Sequence, residues 1–186
     1  MTETAEMKKA LRKQAIATRR ALSVEERSAA SARIAERIAA MPEYRAASTV
    51  MLYRAMPDEA DMRPLTELPV SAGKRFVYPR CTSGTKMICM LPGGWREGPF
   101  GIQEPDAASS EEIPPESVDF IVCPGAAFDD QRRRLGMGGG YYDRFLPRCM
   151  NAAVIMAAFE IQRVPAVPCT ENDIAMDHII TEKAMY

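Results

Sequence analysis

Between Cys123 and Asp143 the chain runs Cys-Pro-Gly-Ala-Ala-Phe-Asp-Asp-Gln-Arg-Arg-Arg-Leu-Gly-Met-Gly-Gly-Gly-Tyr-Tyr-Asp, and no other stretch limits the fold so strictly. Ahead of it, Val118-Asp-Phe-Ile-Val122 is a short apolar run rich in β-branched and aromatic residues, the pattern of a buried strand. Behind it, Tyr142, Phe145, Leu146 and Cys149 recur at helical spacing between Tyr141 and Met150, and Pro147 makes that helix short or kinked. The order is therefore strand, basic loop, glycine run, helix. Arg132, Arg133 and Arg134 supply the charge, and Gly136, Gly138, Gly139 and Gly140 let backbone amides approach a ligand closely. A glycine run that opens a helix also presents unpaired amides and the positive end of the helix dipole, so the expected guest is an anion such as phosphate. The rival reading is a plain tight turn beside a solvated arginine cluster. Neither common phosphate signature is present. The Gly73-Lys74 pair is followed by Arg75 where a Walker loop needs Ser or Thr, and Tyr141 stands where a dinucleotide fingerprint needs its last glycine.

A chain of 186 residues and 20.6 kDa suits one domain, spanning residues 1–186, with a substantial core. A net charge of −1 and a pI near 6.0 remove the electrostatic case for nucleic acid or anionic membranes, so the basic residues act locally. Five cysteines without a Cys-x-x-Cys argue against a disulfide framework and against zinc, and read as reduced thiols in the core. With His178 as the single histidine there is no multi-histidine metal site and no Ser-His-Asp triad; His178 is read as structural. No apolar run approaches the length of a membrane span, and the amino terminus is charged and helical, so the expectation is a cytoplasmic protein without nucleic-acid or membrane partners, acting as a monomer on small molecules.

Two helices are expected first, over Thr4 to Leu22 and Val24 to Ala40, the second opened by a Ser23 to Glu26 capping box. Lys8 and Arg12 are four apart and share a helical face, where two long cations converge on a polyphosphate; Lys13, Arg19 and Arg20 are read as solvated. Strands follow over Ser48 to Tyr53, Arg75 to Arg80 and Lys86 to Leu91, a helix over Asp61 to Val70, and a buried parallel strand over Ala152 to Phe159. The Gly-, Pro- and Ser-rich segment from Gly93 to Pro115 reads as a long surface loop, with Trp95 as a packing residue. Alternating strands and helices predict an α/β fold: a mostly parallel open sheet with helices on both faces, Rossmann-like and three-layered, with the two amino-terminal helices packed on it. The loop from Arg54 to Asp61 then lies at the carboxyl end of a strand, where open sheets bind ligands.

Taken with Tyr141-Tyr142-Asp143, the loop reads Arg-Leu-Gly-x-Gly-x-Gly-Tyr-Tyr-Asp, which resembles the signature of the 5-formyltetrahydrofolate cyclo-ligases, or methenyltetrahydrofolate synthetases. Lys8-Lys-Ala-Leu-Arg12 resembles the family's amino-terminal ATP-phosphate motif, Phe100-Gly-Ile-Gln-Glu-Pro105 its Gly-Ile-x-Glu-Pro segment, and Phe159 to Glu182 its carboxy-terminal pattern. The resemblance implies ATP-dependent closure of 5-formyltetrahydrofolate to 5,10-methenyltetrahydrofolate. It places Lys8, Arg12, Arg134, Leu135, Gly136, Met137, Gly138, Gly139, Gly140, Tyr141 and Tyr142 at ATP, the co-substrate. It places Arg54, Met56, Glu59, Phe100, Met137, Gly139 and Tyr141 at the folate, and Asp143 and Asp173 at Mg²⁺. It assigns no side chain as acid, base or nucleophile, because the folate carries both reacting groups and the protein positions and neutralises. Two departures stand out: Arg132 occupies a place where the family usually has Gly, and Met137 and Gly139 replace residues that are usually bulkier or basic. A non-catalytic nucleotide or sugar-phosphate binding module on a similar sheet is the alternative.

Overall fold

In the computed structural model, which describes residues 3–82, 86–98 and 101–186, strand β1 (Thr49–Met51) is buried along its whole length. Its side chains alternate between two cores: Val50 and Leu52 join one apolar cluster and Met51 another. Strand β7 (Phe120–Cys123) repeats the pattern, Phe120 and Val122 facing one way and Ile121 and Cys123 the other. So does β10 (Ala153–Ala157), with Ile155 and Ala157 against Met156. Continuous apolar runs of this kind form strands covered on both faces, because successive side chains point to opposite sides.

The main sheet has seven strands in the order β11-β10-β7-β1-β2-β3-β6, where β2 is Arg75–Cys81, β3 Met87–Leu91, β6 Glu111–Ile113 and β11 His178–Ile180. The five strands from β11 to β2 are parallel, and β3 and β6 extend the edge antiparallel. From β1 the chain passes to β2 on one side and later to β7 on the other, so the crevice beyond the carboxyl ends of β1 and β7 is the switch point of the sheet.

Helices α2 (Val24–Ala40), α3 (Pro42–Ala46) and α4 (Arg63–Glu67) cover one face through Ile34, Ile38, Tyr44 and Leu65. The short α5 (Tyr141–Phe145) and the 3₁₀ turn after it cover the other through Phe145, Leu146 and Cys149. The fully buried side chains of Ile34 and Ile38 each contribute about 2–3 kcal/mol by area removed from water. The Ser23 and Glu26 capping box forms as expected, Glu26 N donating to Ser23 Oγ at 3.1 Å and Ser23 N to Glu26 Oε2 at 2.7 Å. Helix α1 (Glu3–Arg20) takes a separate seat: Leu11, Ala15 and Ile16 pack on Ala126, Ala127, Leu135 and Val167 beside the sheet.

Two expectations need correction. The segment after Gly93 is not simply loop, since β4 (Trp95–Glu97) and β5 (Gln103–Pro105) pair as a ribbon and β6 joins the sheet. These are three-residue strands, and Glu111 and Glu112 charge the β6 edge, so no apolar alternation announces them. The basic loop likewise contains a hairpin, β8 (Ala127–Phe128) against β9 (Arg134–Leu135). Within it Arg132 has φ +61°, the sole non-glycine residue in the left-handed region among those described, so this arginine takes up the turn geometry of a glycine.

Candidate active site

The β8–β9 hairpin separates the three arginines. Arg132 Nη1 donates outward to Asp177 O at 2.7 Å, and Arg133 Nε donates to the buried carboxylate of Asp129 at 2.6 Å. Arg134 alone turns inward. Its Nη2 donates to Asp143 Oδ1 at 3.2 Å and its Nη1 to Pro124 O at 3.1 Å, while its guanidinium lies 5.2 Å from the centre of the Tyr142 ring. Arg134 Nε is buried without a hydrogen-bond partner among the described residues, an unmet donor beside the glycine loop.

Gly138 and Gly140 hold φ of +103° and +63°, conformations that a side chain would strain. Arg12 lies across this loop from α1: its Nε donates to Gly136 O at 2.8 Å, and a Cβ on Gly138 would stand 3.3 Å from its guanidinium carbon. A Cβ on Gly139 would press on the Tyr141 ring at 2.7 Å. Because α5 has only five residues, the loop's own amides and the nearby cations, rather than a long helix dipole, make this hollow attractive to anions. Leu135 serves the core under α1, and Met137 is exposed.

The two acids expected at a metal are linked through the backbone, since Ile174 N, next to Asp173, donates to Asp143 Oδ1 at 3.4 Å. Lys8 Nζ grips Asp173, 2.7 Å from Oδ1. Burial alone would raise the Asp173 pKa, but Lys8 and the amide and hydroxyl of Thr170 outweigh it and hold the carboxyl below its usual value. No group of three or more His, Cys, Asp or Glu side chains converges among the described residues. One or two carboxylates completed by phosphate oxygens is the usual Mg²⁺ arrangement, so two carboxylates beside an anion hollow fit that ion.

On the β1 side, Glu59 is buried, with Oε2 accepting from Met56 N at 3.0 Å and Oε1 lying 3.6 Å from Arg19 Nη1. Burial raises its pKa, and the Met56 amide and Arg19 only partly oppose that. Burial pushes the Tyr142 hydroxyl pKa well above its ordinary value. Cys81 is half-buried at the end of β2, and burial raises its thiol pKa. Phe100 lies outside the described residues.

Arg19 corrects the expectation of a solvated side chain. It is 1% exposed, with Nη2 and Nε donating to Asp58 Oδ2 at 2.9 and 3.3 Å and Nη1 to Gly125 O at 3.2 Å. The signal was present in the spacing: Lys8, Arg12, Ala15 and Arg19 share one helical face, so a cation at the end of that stripe is directed inward. Gln162, also unforeseen, donates to Gly125 O and Ala126 O at 2.8 and 3.0 Å and fixes the loop after β7. The cysteines are free; burial pushes the Cys89 and Cys123 thiols to about 12 and Cys149 to about 11, while Cys169 is exposed. Trp95, expected as a packing residue, is 42% exposed and holds Tyr78 edge-on at 4.9 Å.

An open doubly wound sheet with cations, a glycine hollow and paired carboxylates gathered over its switch point defines a Rossmann-like α/β protein equipped for anionic ligands. The family model described as the 5-formyltetrahydrofolate cyclo-ligase family, a family of ligases, matches residues 4–182, and the chain belongs to that family. It is 28% identical over 181 residues to the 5-formyltetrahydrofolate cyclo-ligase of Mus musculus, covering 88% of this chain and 87% of the mouse protein. It is 29% identical over 175 residues to that of Escherichia coli K12, covering 90% and 96%. The NMR structure of Aquifex aeolicus 5,10-methenyltetrahydrofolate synthetase superposes with a TM-score of 0.83 at 35% identity, covering 96% of this chain and 91% of that one. The Mycoplasma pneumoniae 5,10-methenyltetrahydrofolate synthetase follows at 0.77 and 27%, covering 94% and 98%.

Proposed function

We propose that the chain catalyses ATP-dependent cyclisation of 5-formyltetrahydrofolate to 5,10-methenyltetrahydrofolate, releasing ADP and phosphate. The observation that carries the reading, beside family membership, is the convergence of Lys8 and Arg12 from α1 on Asp173 and the glycine loop, with Asp143 and Arg134 next to them. The formyl oxygen attacks the γ-phosphorus of ATP and ADP departs. N10 then adds to the activated formyl carbon and loses its proton, and phosphate leaves with the former formyl oxygen. Folate thus supplies both electrophile and nucleophile, and the protein supplies position and charge.

In this reading Lys8, Arg12 and Arg134 balance phosphate charge, and the amides from Gly136 to Gly140 cradle it. The unmet Arg134 Nε–H is one donor that a phosphate oxygen satisfies. Asp143 and Asp173 would hold Mg²⁺, which would supply charge shielding to the phosphate oxygens. Glu59, an acceptor, pairs with the N–H donors of the pterin while Tyr141, Met137 and Gly139 border it and Tyr142 supports Arg134. The chain is taken to act as a cytoplasmic monomer on small molecules alone. Among the described residues no helix is long and apolar enough to cross a membrane. Mixing the protein with Mg-ATP and 5-formyltetrahydrofolate is expected to raise the near-ultraviolet absorbance of the methenyl product. A folded, ATP-binding protein that produces no such rise rejects the activity.

A further inference from the structure

The cations around the site divide into two sets. Lys8, Arg19, Arg63 and Arg134 are each matched to a carboxylate: Asp173, Asp58, Asp61 and Asp143. Arg12 and Arg54 are not. Arg12 has a ready occupant in the phosphate chain that the glycine hollow is proposed to hold. Arg54 stands on the other loop, directly after β1, and among the described residues it makes no hydrogen bond and no ion pair. What it does make is a cation–π contact: its guanidinium carbon sits over the Trp95 ring, 4.8 Å from the centre, and that ring is itself braced edge-on by Tyr78. A cation–π contact holds a guanidinium in place without using its N–H donors, which stay available for two-point recognition of a carboxylate.

We infer that Arg54, held on Trp95, is the receptor for a carboxylate of the substrate's glutamyl tail. The inference rests on the folate reading of the site and extends it to the far end of the molecule. The pterin end offers N–H donors and needs an acceptor, which Glu59 supplies and a guanidinium cannot. The remaining anions of the two substrates are the phosphates, with their own cations on the β7 side, and the tail carboxylates. Arg54 lines an open cleft with Tyr53, Ala55, Asp61 and Arg63, so an extended tail has a surface to lie along. The nearby Asp61 does not cancel Arg54, because Arg63 neutralises it at 2.6 Å. The half-exposed face of Trp95 gives the benzoyl ring ahead of the tail an aromatic surface.

The test is binding, not turnover. Trp95 is the only tryptophan, so its fluorescence reports occupancy of this cleft. Titrations compare 5-formyltetrahydrofolate with 5-formyltetrahydropteroate, which lacks the glutamate, on the wild-type chain, Arg54→Gln and Arg54→Lys. The wild type is expected to prefer the glutamate-bearing ligand roughly ten-fold, the low end for a charge-assisted pair with solvent on one side. Arg54→Gln should abolish that preference and leave affinity for the pteroate and for ATP as they were, and Arg54→Lys should restore only part of it. Equal affinities in the wild type, an undiminished preference in Arg54→Gln, or an equal loss for both ligands overturns the assignment. Failure to form the methenyl product rejects the proposed activity without touching this comparison.

Discussion

Replacing Arg19 with methionine removes a cation that holds two buried carboxylates at once. Asp58 and Glu59 are 8% and 7% exposed, and Arg19 is the partner they share. Afterwards Asp58 keeps only Arg20, at 3.2 Å with a side chain 69% exposed, a contact worth at most about 1 kcal/mol. Breaking a buried pair by deleting one partner costs about 3–5 kcal/mol. For a chain of 186 residues that lowers the thermal midpoint by roughly 6–20 °C. The sign of the pH dependence is fixed too. In the wild type, burial raises the Asp58 pKa but Arg19 and then Arg20 outweigh it, so this group adds stability above the ordinary carboxylate pKa and loses it as pH falls. Glu59 already sits above its ordinary value, so it favours the fold at low pH and weakens it as pH rises. Without Arg19 both carboxyls move up, so the deficit of Arg19→Met is full at neutral pH, shrinks as pH falls through the raised carboxyl pKa values of the variant, and vanishes only below the lowered Asp58 pKa of the wild type. Circular-dichroism melts of both proteins between these limits measure it. A deficit of the same size at every pH, or one below about 1 kcal/mol at neutral pH, refutes the idea that Arg19 neutralises this pair.

Gly138→Ala puts a side chain at φ +103°, 3.3 Å from the Arg12 guanidinium, and is expected to weaken ATP binding at least about ten-fold while lowering stability by about 1–2 kcal/mol; calorimetry with ATP reads the first effect. Glu59→Ala should raise the folate KM about 10- to 100-fold, the cost of a hydrogen bond to a charged group, with little change in the KM for ATP; steady-state kinetics varying each substrate checks the split. Asp143→Asn should lower turnover at least about 100-fold, since loss of even a ligand's supporting partner costs 10- to 100-fold, and should also lower the melting temperature, because it uncharges the partner of the buried Arg134 side chain; steady-state kinetics and melts read the two effects. Removing Mg²⁺ with a chelator should weaken ATP binding by about 5- to 150-fold, with the same factor linking ATP to Mg²⁺ affinity; equal ATP affinity with and without the ion, by calorimetry, would count against Asp143 and Asp173 as its holders.

The sheet and its covering helices were readable because β1, β7 and β10 are continuous apolar runs and α2 announces its start with a capping box. The glycine hollow was readable from Gly136 to Gly140, and the Lys8 and Arg12 pair from their spacing. Arg19 was misread because its residue type is usually solvated; the stripe it shares with Lys8, Arg12 and Ala15 directs it inward, but the carboxylates that pair with it, Asp58 and Glu59, lie some 40 residues later. The three consecutive arginines gave no hint that only Arg134 turns inward; that depends on Asp129, which anchors Arg133 and takes the Val167 amide at 2.8 Å from the carboxy-terminal segment. Arg132 shows the reverse case. Its left-handed backbone could be suspected where a glycine is usual, yet local sequence alone does not reveal that Asp177 and Met176 hold the turn through contacts at 2.7 and 3.0 Å.

Helix α1 explains how one element can serve both ends of the site. Lys8 reaches Asp173, Arg12 reaches Gly136 and Arg19 reaches Asp58, Glu59 and Gly125, so one helix of 18 residues touches the residues proposed for the metal, the phosphates and the pterin. Its charges do not all change partners alike. Arg19 is enclosed and stays with its carboxylates whatever binds. Lys8 with Asp173 and Arg134 with Asp143 are cation and anion pairs that separate along chemical lines, the cations suiting phosphate and the acids a divalent ion. Either ligand alone would strand one half of each pair in a part-buried setting, whereas both together leave every charge matched. On the proposed roles, coupling between nucleotide and metal would be set by pairs that join α1 to Asp173 and the β8–β9 hairpin to α5.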